Sequence, residues 1–276
     1  YVPEGEFLMG STDAEVAMAI SQCEIDQGVG NCEQMGFDAQ MPQHAVKLDA
    51  FWIDQTEVTN AQFTDFLNVR GNQVEEGVPW LEIDDDYALI ELVGDMYRPI
   101  EGYADHPVIE VSWAGATAYC AWAGARLPTE AEWEYVSRGP QSLIYPWGDT
   151  FECQYGNFDD ETQLDAYIVA GRAGCDGYMR TAPVGSFPSG KSWCGALDMA
   201  GNVWEWVQDW YATDYYKLSP YQNPPGPSMG EYRIGRGGSW WSSEAWLHST
   251  TRLKISPTGA GYDLGFRCAM TSSQNR

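Results

Sequence analysis

The sequence predicts a single α+β domain, poor in regular secondary structure. Three observations predict it. Its 29 Gly and 15 Pro are spread throughout, so long elements are interrupted. Apolar residues recur in short stretches, some alternating and some at helical spacing, which is a mixed pattern. Hydrophobic residues make up 44% and aromatics 14% of 276 residues, enough to bury a sizeable core. No fixed-period repeat stands out, and residues 1–276 read as one domain.

Residues 1–10 (YVPEGEFLMG) alternate and predict a strand. Thr12 and Glu15 have the spacing of a capping box, which predicts a helix over 13–24. Residues 25–42 read as a loop, and Cys23 and Cys32 bracket its first part, where a disulfide would close a short surface excursion. HAVKLDAFWID (44–54) predicts a second strand, and Glu57-Val58-Thr59-Asn60 starts a helix with Phe63, Phe66 and Leu67 on one face. Residues 71–105 are acidic and polar; the run Asp84-Asp85-Asp86 lacks the Gly and distal Glu of an EF-hand and reads as solvated loop. HPVIEVSW (106–113) predicts a strand whose Ser112 caps a helix of small residues carrying Cys120. Thr129 and Glu132 form another capping box, with Glu130, Glu132 and Glu134 near the positive helix end. From 139 to 235, Gly, Pro, Asp and aromatics predict irregular backbone, and 233–239 and 262–270 predict two closing strands.

Forty acids face fifteen bases, a net charge of −25. Nucleic acid and anionic lipid both need a cationic surface, so neither is an expected partner. The acidic shell serves solubility, and acids are also the donors that hard cations such as Ca²⁺ prefer. No uncharged apolar stretch of about 18 residues is present, so no membrane span is expected. The chain opens at Tyr1 without a basic-apolar leader, so any signal peptide is expected to have been removed or left out of this sequence. Seven cysteines without a C-x-x-C pair speak against a zinc ribbon and for disulfides in an oxidising, extracytoplasmic compartment. His44, His106 and His248 have no metal-ligand partner at close spacing, and His44 and His106 read as packing residues.

Eight segments then occur in an informative order: GEFLMGS (5–11), EVTNAQFTDFL (57–67), HPVIEVSW (106–113), RLPTEAEWEYVSRG (126–139), YPWGD (145–149), DMAGNVWEWVQDW (198–210), GRGGSW (235–240) and GFRCAM (265–270). Together they resemble the formylglycine-generating enzyme (sulfatase-modifying factor) domain family across residues 5–270. The resemblance implies that family's fold, a C-type-lectin-like variant stabilised by disulfides and calcium. Its active members oxidise a sulfatase cysteine to formylglycine with O₂ and copper. They use two cysteines shortly after the GGS motif, because thiolates suit soft Cu(I). The corresponding stretch here, GGSWWSSEAWLHSTTRLKISP, contains no cysteine, and Ser242 and Leu247 fall near the two thiol positions. Copper and formylglycine-generating activity are therefore not expected, and no catalytic residue is assigned.

By the same resemblance, Ser239 and Trp204 line the family's groove. Ser242 and His248 are further groove candidates, as a conceivable nucleophile and base without an orienting acid. One calcium site would use the side chains of Asp198 and Glu205 with the carbonyls of Gly201 and Val203. A second would join the side chains of Asn157 and Asp176 to the carbonyls of Phe158 and Tyr178. Cys120 and Cys268 match a disulfide pair of the family. The family's other bridge should fall near Ser137 and the loop before Arg252, where no cysteine stands. Cys153 and Cys175 flank the Asn157/Asp176 site and would pair, leaving Cys194; pairing of Cys175 with Cys194 is the alternative. Two functions follow as expectations. The first is a non-catalytic extracytoplasmic module engaging a protein or glycan partner or a larger assembly, with Trp240, Trp241 and Trp246 as a recognition patch. The second is an enzyme using non-copper chemistry in the same groove, for example on a peptide or natural product.

Overall fold

The computed structural model describes residues 1–32, 35–160 and 174–272. Glu33 and Gln34, within the expected loop 25–42, and residues 161–173, within the expected irregular stretch, lie outside the described residues, as do 273–276. In order, the elements are β1 (Gly5–Met9), α1 (Asp13–Gln27), β2 (His44–Leu48), β3 (Phe51–Ile53), α2 (Asn60–Arg70), β4 (Val74–Glu75), β5 (Val78–Pro79), β6 (Ile90–Val93), β7 (Met96–Pro99), α3 (Trp113–Trp122), α4 (Glu130–Arg138), β8 (Trp204–Trp210), β9 (Arg233–Arg236), β10 (Arg252–Ile255), β11 (Leu264–Gly265) and β12 (Ala269–Thr271).

Helix starts follow side-chain chemistry. The Thr12 and Thr129 hydroxyls accept the amides of Glu15 and Glu132, whose carboxylates accept the Thr amides in return. These are the reciprocal caps that the T-x-x-E spacing predicts. α2 has the same arrangement with Thr59 and Gln62, so it begins at Asn60, within the expected starting segment 57–60. Ser112 caps α3 by accepting the Gly115 amide. α1 runs to Gln27, three residues past the expected end at Glu24.

Strands depart further from expectation. The run 44–54 breaks at Asp49-Ala50 into β2, antiparallel to β1, and β3, antiparallel to β12. The run 106–113 is not a strand: Glu110 takes a left-handed φ of 57°, and only isolated bridges at Pro107 and Val111 remain. The acidic stretch 71–105 holds two small hairpins, β4–β5 and β6–β7, with Asp84, Asp85 and Asp86 exposed as expected. The largest sheet, in the order β10-β9-β8-β11, is built on β8, inside the stretch expected to be irregular. The predicted strand 262–270 resolves into β11, parallel to β8, and β12.

Two large clusters fill the core. One gathers Phe63, Phe66, Tyr119, Trp206 and Phe266; the other gathers Phe7, Phe51, Trp133, Val136 and Ile234. α4 is buried along its whole length, charges included. Its acids are answered by arginines: Glu130 by Arg252 Nε at 2.7 Å and Glu134 by Arg236 at 2.7 Å. Arg138 reaches the Gly10 carbonyl at 2.6 Å and Glu15 at 2.8 Å. Burying such charges singly would cost several kcal/mol each, so the pairing is obligatory. Among the described residues, no helix is long and apolar enough to cross a membrane.

Candidate functional site

After β9 the chain turns sharply through Gly237 and Gly238, with φ of 97° and 74°. A Cβ on Gly238 would stand 2.7 Å from the Leu247 side chain and 3.0 Å from the Trp246 carbonyl. Glycine thus allows the segment 239–247 to fold back on the turn. Ser239, fully buried, donates from Oγ to Asp263 at 2.7 Å, and its amide donates to Ser242 Oγ at 2.9 Å. The two hydroxyls lie 3.2 Å apart.

Beside them opens a groove of about 310 Å³ walled by Trp204, Trp241, Trp246 and Ser242. Three carboxylates also line it: Asp26 from the last turn of α1, Asp159 and Asp263. Burial, and then the charges of Asp26 and Asp160, push Asp159 up to about 6. Burial also raises Asp263, against the Ser239 hydrogen bond that lowers it.

The structure brings Trp204 and Ser242 to the groove and Ser239 just behind it. His248 is elsewhere. It is 2% exposed, its ring set edge-on to Tyr145 at 5.2 Å, and burial followed by the Arg138 charge lowers it to about 4. The Ser242–His248 nucleophile and base pair is therefore not formed. Leu247 is sealed in an apolar cluster with Tyr145, Phe158 and Ala200. The tryptophans do not form an exposed patch. Trp240 is buried, whereas Trp241 and Trp246 are half-buried in the groove wall. Sequence reasoning missed Asp26, Asp159 and Asp263 as groove residues. FDD (158–160) and YDLGFR (262–267) were visible as segments, but no local pattern ties them to Asp26.

The two calcium sets differ in fit. Both oxygens of Glu205 are taken by the Arg267 fork, each at 2.7 Å, and Oε2 also accepts the Trp133 indole at 2.9 Å. Asp198 accepts the Gly185 amide at 2.6 Å. Burial raises Asp198, and burial together with Asp198 pushes the neighbouring Glu57 well up. Glu205, with Gly201 and Val203 in the turn before it, is thus arranged as the partner of Arg267, and this set fits a cation poorly. The other set fits in kind. Asn157 is 1% exposed and its Oδ1 has no hydrogen-bond partner, the orphaned oxygen a hard cation would take. Asp176 accepts the Phe158 amide at 3.0 Å and the Tyr178 amide at 2.8 Å, and burial pushes it up to about 7.

Disulfides join Cys23 to Cys32 and Cys120 to Cys268. Cys153 and Cys175, expected to pair, are free thiols. The Cys175 Sγ instead donates to the Cys153 carbonyl at 3.2 Å, and burial, then the Cys153 thiol, raises it strongly. Cys194 is free as well, 3.5 Å from the Ser192 hydroxyl, and is not bonded to Cys175. Near Ser137, where the resemblance implies a second bridge, Ser137 Oγ donates to Ser249 Oγ at 2.8 Å.

Residues 1–272 match the model of the sulfatase-modifying factor enzyme 1-like domain. The chain is 31% identical to the formylglycine-generating enzyme of Bos taurus, over 97% of this chain and 73% of that one. It is 32% identical to the inactive C-alpha-formylglycine-generating enzyme 2 of Mus musculus, over 99% and 86% of the two chains. Among solved structures it is similar to PvdO from Pseudomonas aeruginosa, with a TM-score of 0.69 and 23% identity over 98% of this chain and 92% of that one. The fold is that of the formylglycine-generating enzymes. With the family model spanning nearly its whole length and relatives above 30% identity, the chain belongs to the sulfatase-modifying factor enzyme 1-like family.

Proposed function

We propose that this chain is a non-catalytic, extracytoplasmic binding module, whose groove beside Ser239 receives a group presented by a protein or glycan partner. One observation carries the reading. Where the copper thiols of the family's oxidases are expected, Ser242 is a hydroxyl bonded to Ser239, and Leu247 is closed into an apolar cluster. Cu(I) needs soft donors, and a hydroxyl and an alkyl group supply none. The described free thiols sit elsewhere: Cys194 beside the Val136 carbonyl, Cys153 and Cys175 against the Phe158 cluster. Similarity to an active and an inactive enzyme at nearly equal identity leaves the distinction to these site residues. Two disulfides support an oxidising compartment.

Calcium belongs to this reading as a structural ion at Asn157 and Asp176, with the carbonyls of Phe158 and Tyr178. There it would tie two loop segments that lack ladder hydrogen bonds. The test is purification without added metal, followed by metal analysis and incubation with a cysteine-containing peptide. No copper and no aldehyde are expected, and stoichiometric copper or peptide aldehyde would overturn the reading. Calcium then added to about a hundred times its Kd should raise Tm by about 5 °C over the chelated chain. Asn157→Ala should abolish that shift; an unchanged melt in the parent chain removes the calcium.

A second reading is favoured by Asp159. Its buried carboxyl has an unpartnered Oδ1 in the groove and is placed to hydrogen-bond a bound substrate, as an enzyme of non-copper chemistry would require. Turnover of a peptide or natural product that Asp159→Asn abolishes would establish it.

A further inference from the structure

We propose that the groove binds an organic ammonium group, with its charge met by Asp26 and Asp159 and its alkyl faces by Trp204, Trp241 and Trp246. This rests on the binding reading above and specifies its ligand.

Asp159 is 5% exposed, yet its Oδ1 has no hydrogen-bond partner where it lines the groove. Both carboxylate oxygens of Asp26 are also shielded from solvent and unpartnered. Buried carboxylates are expensive unless something answers them. No Lys, Arg or His lines the groove among the described residues. Asp26 is placed badly for its own helix. It lies in the last turn of α1, where the carbonyl end of the helix is already negative, and that turn holds no basic residue. A sequence that breaks a local electrostatic rule twice at one spot is arranged for something other than stability. A cation in the groove would relieve both carboxylates and the helix end together.

The walls select the kind of cation. Calcium takes six to eight oxygens, and indole faces offer it none. Among the described residues, no three or more His, Cys, Asp and Glu side chains are grouped to hold a metal ion. Indole faces attract alkylammonium groups through the ring quadrupole, more strongly where water is excluded. A neutral sugar could stack on the same rings but would leave the carboxylates unanswered.

The experiment titrates the full chain with choline and with butylammonium, following tryptophan fluorescence and calorimetric heat. The uncharged choline analogue 3,3-dimethylbutan-1-ol and calcium chloride serve as controls. At least one ammonium should bind with a Kd of about 10 mM or tighter, and the alcohol about tenfold more weakly. Asp26→Asn and Asp159→Asn should each weaken the ammonium about tenfold. Asp26 is the partly exposed member, so its variant keeps the test open if Asp159→Asn fails to fold. Equal binding of the alcohol, calcium binding abolished by Asp26→Asn, or no binding of either ammonium would overturn the proposal. If no ammonium binds and the chain still carries neither copper nor aldehyde-forming activity, the ammonium fails while the binding module stands.

Discussion

Arg267→Met should be among the most damaging single substitutions in the molecule. The guanidinium is fully buried and donates to Glu205 Oε1 and Oε2, each at 2.7 Å. It also satisfies the carbonyls of Asp54, Gln55 and Leu197 at 3.2, 3.0 and 2.9 Å. Methionine fills much of the volume but leaves the buried Glu205 charge without a counter-ion, held only by the Trp133 indole and beside Glu57 and Asp198. Breaking a buried pair from one side costs about 3–5 kcal/mol. At about 2.1 cal/mol/K per residue, the 276-residue chain unfolds with about 0.6 kcal/mol/K, so Tm should fall roughly 5–8 °C. Scanning calorimetry of Arg267→Met, Glu205→Gln and the double variant reads it directly. The double variant should be more stable than Arg267→Met alone, because no uncompensated charge is left inside. A drop below about 2 °C, or a double variant that simply adds the two losses, would refute the reasoning.

The disulfides should contribute unequally. Removing Cys120–Cys268, which closes a separation of 148 residues, should cost about 5 kcal/mol in denaturant melts, and removing Cys23–Cys32, with a separation of 9, about 2.5 kcal/mol. Equal losses would contradict the loop-closure account. His248 should make the fold acid-sensitive. It is held near 4 when folded and protonates near 6.5 when unfolded, so the unfolded chain binds the extra proton between those values. Stability is full above about 6.5 and falls by roughly 3 kcal/mol as pH drops to about 4. Asp209, pushed up to about 8 by burial and Glu130, acts with the opposite sign, so the difference between the parent chain and His248→Gln is the proper readout. A difference that stays constant from pH 7 to pH 4.5 would refute the assignment.

What was legible in the sequence was local chemistry. The caps at Thr12, Ser112 and Thr129 could be read because hydroxyl and amide stand within three residues of each other. β8 was hidden for the opposite reason. It emerges from a turn with left-handed Asp198, Gly201 and Asn202, and its acids, Glu205 and Asp209, are buried rather than solvated. The residues 106–113 had a strand's composition but not its backbone, because Glu110 turns out of the extended region. The link between Cys120 and Cys268 came only through family resemblance, since spacing alone permits many pairings of seven cysteines. The absence of cysteine from residues 237–257 was legible at once. The acids that furnish the groove were not, because Asp26 and Asp159 meet only through tertiary folding.

The alternation of β8 separates the groove from the scaffold that holds it. Trp204 walls the groove, and the next residue, Glu205, receives the Arg267 fork. Successive side chains on a strand point to opposite faces. One strand therefore presents the groove wall on one side and anchors the buried ion pair on the other. Ser242 lines the groove, Leu247 is closed into a separate apolar cluster, and Ser137 is hydrogen-bonded to Ser249. The fork at Arg267 and the Cys120–Cys268 staple depend on none of these. A substitution on the groove side therefore alters what the groove can hold and leaves the interactions that keep its wall in place.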